Sequence, residues 1–149
     1  MSLNFTQLVF IKWRLFFTKF IIPIVIFSLQ KIKKNHVAII LGYFNGHPFL
    51  EDQIKSIFNQ SHGALNVHLC DDNSERPFDE NDFEFEEDEL KKLSSCKRPK
   101  RLGHANNFLN RLSDIAEDFE YFAFSDQDDV WHQDKLEKAI PALEKFPSG

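Results

Sequence analysis

The sequence has little cysteine and no excess of positive charge. Its two cysteines, Cys70 and Cys96, do not have the spacing of a zinc site and are too few for a disulfide framework. They therefore predict ordinary buried or half-buried thiols in a reducing compartment. Lys and Arg number 18 against 23 Asp and Glu, which gives a net charge of -5. This balance argues against a nucleic-acid-binding protein, because such proteins usually present a basic face.

The first 35 residues lack acidic side chains and a long uncharged apolar run. The longest such run, from Phe20 to Gln30, contains Pro23 and falls short of the roughly 20 residues that a helix needs to cross a bilayer. We interpret residues 1–35 as an apolar helical arm on a membrane surface, at the cytoplasmic face of the cell membrane. Alternatives are a tilted span, a signal peptide without an evident cleavage site, a helix packed on the domain, or the arm of a dimer. The basic residues that would face lipid headgroups are Lys12, Arg14, Lys19, Lys31, Lys33 and Lys34.

Residues 36–149 predict one α/β domain with a mostly parallel sheet flanked by helices. The apolar run at 37–41 has the length of a buried strand, and a helix is expected from Pro48 because apolar residues recur on one face. Alternating apolar residues at 65–69 predict a second strand. Strand, helix and strand joined by short turns form the βαβ unit of a parallel sheet.

The later part of the domain is less regular. The acidic stretch at 77–93 predicts a flexible or loosely packed insertion with a short helix toward Lys92. The basic cluster at 97–101 predicts a solvated loop, except for Arg101; the alternative is a patch that attracts phosphate. The remaining periodicity predicts a helix at 107–119, a strand at 121–124, and a helix from about 133 to 146 that Pro141 is expected to kink.

Three carboxylates follow the strand at 121–124 within four residues: Asp126, Asp128 and Asp129. Ligands bind at the carboxyl ends of the strands in open α/β sheets. Crowded carboxylates repel one another unless a cation shares them, and Mg²⁺ prefers oxygen ligands. We therefore favour a metal–diphosphate site, with Trp131 as a packing anchor behind the loop. The alternative is a solvated acidic turn that caps the next helix.

Four motifs in this order resemble the nucleotide-binding half of a family-2-type glycosyltransferase of the GT-A fold. The resemblance extends over roughly residues 37–146, and the last motif is similar to that of bacterial rhamnosyltransferase-like members that act on surface polysaccharides. The motifs are residues 37–46, Asp71-Asp72-Asn73-Ser74, Arg101-Leu102-Gly103 with Asn107-Phe108, and residues 125–131 with Asp134-Lys135-Leu136.

The resemblance implies a donor of the UDP-sugar or dTDP-sugar type and a role for each matching residue. Asp72 would accept a hydrogen bond from the base, Asp71 would support its loop, and Asp126 would hold the ribose or a metal-bound water. Asp128 would ligate Mg²⁺ or Mn²⁺ at the diphosphate. The complete implied nucleotide-binding set is Phe44, Asn45, Asp71, Asp72, Arg101 and Asp126, in which Phe44 lacks the hydroxyl of the tyrosine often found there.

The family transfers the sugar to a hydroxyl acceptor with inversion, which implies a hexosyltransferase of polysaccharide synthesis. Its acceptor half and general base lie beyond the region of resemblance, so the chain is expected to be truncated before the base. Glu137 and Glu144 lie on a helix that leaves the site. The implied partners are the nucleotide sugar, a membrane surface and a chain carrying the acceptor half. The alternative is a non-catalytic, membrane-tethered nucleotide-binding or interaction module.

Overall fold

The computed structural model of the protein describes residues 10–12 and 33–145. Five strands and four helices lie in these ranges, with a 3-10 turn at Glu80–Asp82. The strands are β1 (Phe10–Lys12), β2 (Lys33–Tyr43), β3 (Leu65–Asp71), β4 (Leu93–Lys97) and β5 (Phe119–Ser125). The helices are α1 (His47–Phe58), α2 (Glu87–Leu90), α3 (His104–Ile115) and α4 (Lys135–Glu144).

One sheet contains all five strands, in the order β1-β5-β2-β3-β4. Strands β5, β2, β3 and β4 run parallel, and β1 runs antiparallel to β5. The run from Val37 to Leu41 in β2 is fully buried. Its odd-numbered residues join the core on one face of the sheet, and Ala38 and Ile40 join the core on the other. A strand covered on both faces needs such a continuous apolar run, so the predicted α/β fold is confirmed.

Helices cover both faces of the sheet. Helices α1 and α4 supply Leu50, Ile54 and Leu136 to one core, whereas α3 supplies Phe108 to the other. A Cβ atom at Gly42 would lie 3.1 Å from the Phe108 ring. Glycine at this position therefore lets α3 approach β2 closely, which brings the start of α3 to the carboxyl end of the sheet.

Several boundaries differ from the sequence prediction. Strand β4 was not predicted, and its last residue, Lys97, belongs to the basic cluster that was expected to be a loop. Helix α3 begins at His104 and ends at Ile115 instead of extending to Phe119. Phe10–Lys12 forms a strand in place of the predicted N-terminal helix. Residues 33–35, at the end of that predicted arm, are part of β2. Residues 1–9 and 13–32 of the arm lie outside the described residues. Among the described helices, none is long and apolar enough to cross a membrane.

The acidic segment at 77–93 packs against α1, so the expectation of a loosely packed insertion is wrong. Phe83 stacks on Phe78 and on Phe85 with ring centroids 5.6 Å apart in both pairs, and on the His47 ring of α1 at 4.9 Å. Phe58 of α1 meets the edge of Phe85 at 6.4 Å. Stacked aromatic rings anchor the segment while its acidic side chains remain mostly exposed. Helix α2 is the short helix expected toward Lys92.

His68 of β3 is a buried histidine at the interface of β4 and α3. Its Nδ1 atom lies 2.8 Å from Ser94 Oγ and 3.0 Å from Arg111 Nη2. The arginine can only donate, so Nδ1 accepts and the imidazole is neutral. Burial, followed by the positive charge of Arg111 and then of Lys33, lowers the pKa of His68 to about 4.

Acidification should therefore destabilise the fold through His68. In the unfolded chain this histidine binds a proton at its ordinary pKa, whereas in the folded chain it does not. The contribution of His68 to the free energy of unfolding is therefore complete above about pH 6.5 and is lost as the pH falls toward 4. Between pH 7.5 and pH 5 we expect His68 to lower the free energy of unfolding by about 2 kcal/mol. Urea unfolding of the wild type and His68→Gln at both pH values measures the difference. Exposed carboxylates contribute equally to the pH dependence of both proteins. If the free energy of unfolding falls equally in both between pH 7.5 and pH 5, His68 is not the cause of the destabilisation.

Candidate functional site

The carboxyl ends of β2, β3 and β5 meet at a cleft of about 290 Å³. Of the residues predicted for the site, Phe44, Asp72, Arg101, Asp126 and Asp128 line this cleft. The other lining residues are Gly42, Tyr43, His104, Asn107 and Gln127. A larger depression of about 590 Å³ lies between α1 and residues 84–89, but it contains none of the predicted site residues.

Asp71 and Asn45, the two predicted residues that do not line the cleft, hold the neighbouring loops. The buried Asp71 carboxylate accepts hydrogen bonds from Ser74 N at 2.7 Å and from Phe78 N at 3.2 Å. Asn45 N donates to Ser74 Oγ at 3.0 Å, and Asn45 Oδ1 accepts from Glu75 N at 2.9 Å. These bonds join the loop after β2 to the loop after β3.

The Asp72 carboxylate is buried and holds a third loop against the cleft. Its Oδ1 atom accepts a hydrogen bond from Leu102 N at 2.7 Å, and its Oδ2 atom accepts one from Gly103 N at 2.8 Å. Gly103 has a φ of +82°, which glycine adopts without strain. Backbone amides thus satisfy the buried carboxylate and place Arg101 at the mouth of the site.

Arg101 and Phe44 form a stacked pair on the wall of the cleft. The guanidinium carbon lies 4.0 Å from the centroid of the Phe44 ring. This is a cation–π contact, and it gives the cleft a flat aromatic surface beside a permanent positive charge. Such a wall suits a planar ring attached to an anionic group.

A second wall of the cleft is acidic and contains Asp126 and Asp128. Burial raises the pKa of Asp126, the nearby His104 opposes this rise, and the negative charges of Asp129 and Asp128 add to it. The His104 Nδ1 atom lies 3.3 Å from Asp126 Oδ1. Repulsion among these carboxylates would be relieved by a cation, so the donor set fits a hard divalent metal. Within residues 10–12 and 33–145, no three His, Cys, Asp or Glu side chains gather into a metal site. Further ligands would have to come from a bound ligand or from water.

Gln127 connects the acidic wall to the aromatic wall, a role that sequence reasoning did not predict. Phe44 N donates to Gln127 Oε1 at 2.7 Å, and Gln127 Nε2 donates to Phe44 O at 3.2 Å. A side chain at Gly46 would overlap the Gln127 amide. Gly46 therefore leaves the space that this two-way hydrogen bond occupies.

Polar residues of α1 and of the turn that follows it hold the acidic loop, residues 125–131. Gln53 Nε2 donates to Ser125 Oγ, and both side chains are buried. Ser56 Oγ accepts from Trp131 N at 2.9 Å, and Gln60 Nε2 donates to His132 O at 2.7 Å. Trp131 packs in the core as predicted, with Lys135 Nζ 3.8 Å from its ring centroid.

The two carboxylates considered as replacement bases do not line the cleft. Glu137 accepts a hydrogen bond from Ser61 Oγ at 2.6 Å, and Glu144 accepts one from the Tyr121 hydroxyl at 2.9 Å. Both lie on α4, which leads away from the acidic loop. Their positions agree with the expectation that neither acts in the site.

Comparison with known proteins identifies the family of this cleft. The model of glycosyl transferase family 2 matches residues 38–149. This chain belongs to glycosyl transferase family 2. The dTDP-rhamnosyl transferase RfbG of Shigella flexneri is 31% identical over 105 residues, which cover 69% of this chain and 36% of that protein. The UDP-Glc:alpha-D-GlcNAc-diphosphoundecaprenol beta-1,3-glucosyltransferase WfgD of Escherichia coli is 28% identical over 109 residues, which cover 73% of this chain and 41% of that protein.

Solved structures share the fold of this family member. S. aureus TarS 1-349 matches with a TM-score of 0.60 and 17% identity over 74% of this chain and 32% of that chain. The mannosyltransferase PcManGT from Pyrobaculum calidifontis, in complex with GDP-Man and Mn2+, matches with a TM-score of 0.55 and 20% identity over 72% of this chain and 32% of that chain. The chain therefore corresponds to little more than a third of the length of RfbG and to about a third of these structures.

The Gly46–Gln127 contact can be tested with a double-mutant cycle. We expect Gly46→Ala to destabilise the fold by about 1–3 kcal/mol, because the new methyl group must displace the Gln127 amide from Phe44. In a Gln127→Ala background the same substitution should cost little. Gly63→Ala is the matched control, since no atom lies within 4 Å of a Cβ there. Urea unfolding measures all variants, and an equal cost of Gly46→Ala in both backgrounds would exclude this contact.

Proposed function

We propose that this chain is the donor-binding part of a glycosyltransferase that uses a nucleoside-diphosphate sugar of the UDP or dTDP type. The observation that carries the proposal is that the Phe44–Arg101 wall and the acidic wall of Asp126 and Asp128 face one cleft. The relatives support this donor class, since RfbG is named a dTDP-rhamnosyl transferase and WfgD a glucosyltransferase acting with UDP-Glc. The product would be a sugar linked to a hydroxyl acceptor in surface polysaccharide synthesis.

Each cleft residue has a proposed task. Phe44 would stack near the base, and Asp72 would accept a hydrogen bond from it through lone pairs that the Leu102 and Gly103 amides leave unused. Arg101 would help to hold the anionic part of the donor. Asp126 would bind the ribose or a metal-bound water. Asn45 and Asp71 would act indirectly, by fixing the loops that carry Phe44 and Asp72.

Asp128 is the proposed ligand of Mg²⁺ or Mn²⁺. A divalent cation at this position would neutralise charge on the departing nucleoside diphosphate. The position of Asp128 supports a cation here, because it lines the cleft together with a second carboxylate, Asp126. A Mn2+ complex of a protein with the same fold, PcManGT, is consistent with this choice.

Transfer also requires an acceptor site and a general base, and we propose that residues beyond this cleft or a partner chain supply them. Loss of a general base lowers the rate roughly 10²–10⁴-fold. If no such partner exists, the chain would act as a nucleotide-binding module. For either case we propose attachment to the cytoplasmic face of the membrane through residues 1–35, which combine apolar and basic side chains without an acid. Because residues 10–12 and 33–35 belong to the sheet, the attachment would be made by residues 1–9 and 13–32.

Calorimetric titration of the full chain with UDP, dTDP and GDP, with and without Mn²⁺, tests the donor site. We expect Mn²⁺ to strengthen binding of at least one pyrimidine diphosphate, and Asp128→Asn to weaken it roughly 10–100-fold only when Mn²⁺ is present, because the variant loses a charged ligand. Asp88→Asn is the matched control, since this acid is exposed on α2. Nucleotide binding that does not depend on Mn²⁺ and is unchanged in Asp128→Asn would contradict the proposed metal site.

A further inference from the structure

Two thiols face each other across neighbouring strands, outside the cleft. Cys70 of β3 pairs directly with Cys96 of β4 in the parallel register, and both side chains belong to the α3 side of the sheet. Cys70 is fully buried, whereas Cys96 is partly exposed on the edge strand. One thiol is therefore open to reagents from solvent and the other is shielded.

The register places the two cysteines at a separation that a disulfide can bridge. Neighbouring strands lie about 4.8 Å apart, and disulfides join Cα atoms roughly 4.4–6.8 Å apart. In the reduced protein the Cys70 thiol donates to the His68 carbonyl oxygen at 3.6 Å. The nearby Cys96 thiol raises the pKa of Cys70, and burial raises it further.

The surroundings of Cys96 are positively charged. Hydrogen bonding from Cys70 is the main cause that lowers the pKa of Cys96 to about 6; partial burial opposes this, and the charges of Arg98 and Arg111 reinforce it. The negative charge of Asp114 raises the pKa of Cys96, and Asp114 Oδ2 lies 3.9 Å from Arg98 Nη1. Asn107 accepts a hydrogen bond from Arg98 Nε at 3.0 Å, which fixes the guanidinium near the pair. The same Cys70–Cys96 contact raises the pKa of Cys70.

We propose that Cys96 and Cys70 form a site of reversible two-electron oxidation, in which Cys96 reacts with a peroxide and Cys70 completes an intramolecular disulfide. The proposal stands on the facing register, the unequal exposure of the two thiols and the flanking arginines. It does not depend on nucleotide or metal binding in the cleft.

The reaction balances with hydrogen peroxide as the oxidant. The Cys96 thiolate attacks one peroxide oxygen, the O–O bond breaks, and the released hydroxide takes a proton to become water. Cys96 is then a neutral sulfenic acid, so the negative charge that discouraged ionisation of Cys70 is gone. The Cys70 sulfur attacks the Cys96 sulfur as its proton passes to the departing hydroxyl, which forms the S–S bond and a second water.

Peptide mapping after peroxide treatment of the full chain at neutral pH tests the site. We expect the wild type to lose two hydrogen atoms and to give one cross-linked peptide pair, Cys70 with Cys96, that dithiothreitol releases. Cys70→Ala should stop at a sulfenic acid on Cys96 that dimedone traps, because the second thiol is missing. Cys96→Ala should react at least roughly tenfold more slowly, since the remaining thiol is buried.

Alkylation of the wild type with iodoacetamide gives a second measurement that needs no variant. Cys96 should be labelled first in the folded chain, and the two cysteines should react equally in urea. Equal labelling of both thiols in the folded chain would overturn the proposal. So would a disulfide that forms only between two chains, or the absence of any oxidation before unfolding.

Discussion

The site depends on the parallel pairing of β2 with β3 on one side and with β5 on the other. The register aligns Tyr43 with Asp71 and Leu41 with Ser125. The residues that follow each strand, Phe44, Asp72 and Asp126, consequently emerge at one edge of the sheet. The apolar run of β2 makes this pairing obligatory, because a strand buried on both faces can only be central. The burial of β2 at the centre of the sheet therefore determines where the cleft lies.

Polar bonds between the loops turn this shared edge into a defined cleft. Asp72 binds the backbone of the loop before α3, Gln127 binds the backbone of Phe44, and Asn45 binds the loop after β3. In each case a side chain of one loop satisfies backbone groups of another, so no loop can move without leaving polar groups unpaired. This network explains why Asp71 and Asp72 differ in role although they are adjacent: one shapes its own turn and the other fixes a neighbouring loop.

The sequence was sufficient to predict the buried strands, because 37–41 and 121–124 are apolar runs with few alternative structures. It was not sufficient for β4, whose sequence Leu-Ser-Ser-Cys-Lys is polar because the strand lies at an edge. The acidic segment was predicted wrongly for a related reason. Its many charges suggested a solvated chain, whereas Phe83 and Phe85 contact rings of α1 and Phe78 stacks on Phe83. Carboxylates of the site were recognisable from their positions, whereas Gln53 and Gln127 were not. A neutral amide has no distinctive pattern until its partner, distant in sequence, is known.

Some residues of the acidic loop hold it against the rest of the domain, and others are exposed to the cleft. Ser125 and Trp131 are held by α1, Gln127 is held by Phe44, and Asp126 and Asp128 between them line the cleft. Supporting bonds formed during folding keep the repelling carboxylates close together before any ligand arrives. Such preorganisation reduces the free-energy cost of ordering the loop when a ligand binds. In the metal site that we propose, a cation would relieve the repulsion that remains, and this relief would strengthen its binding.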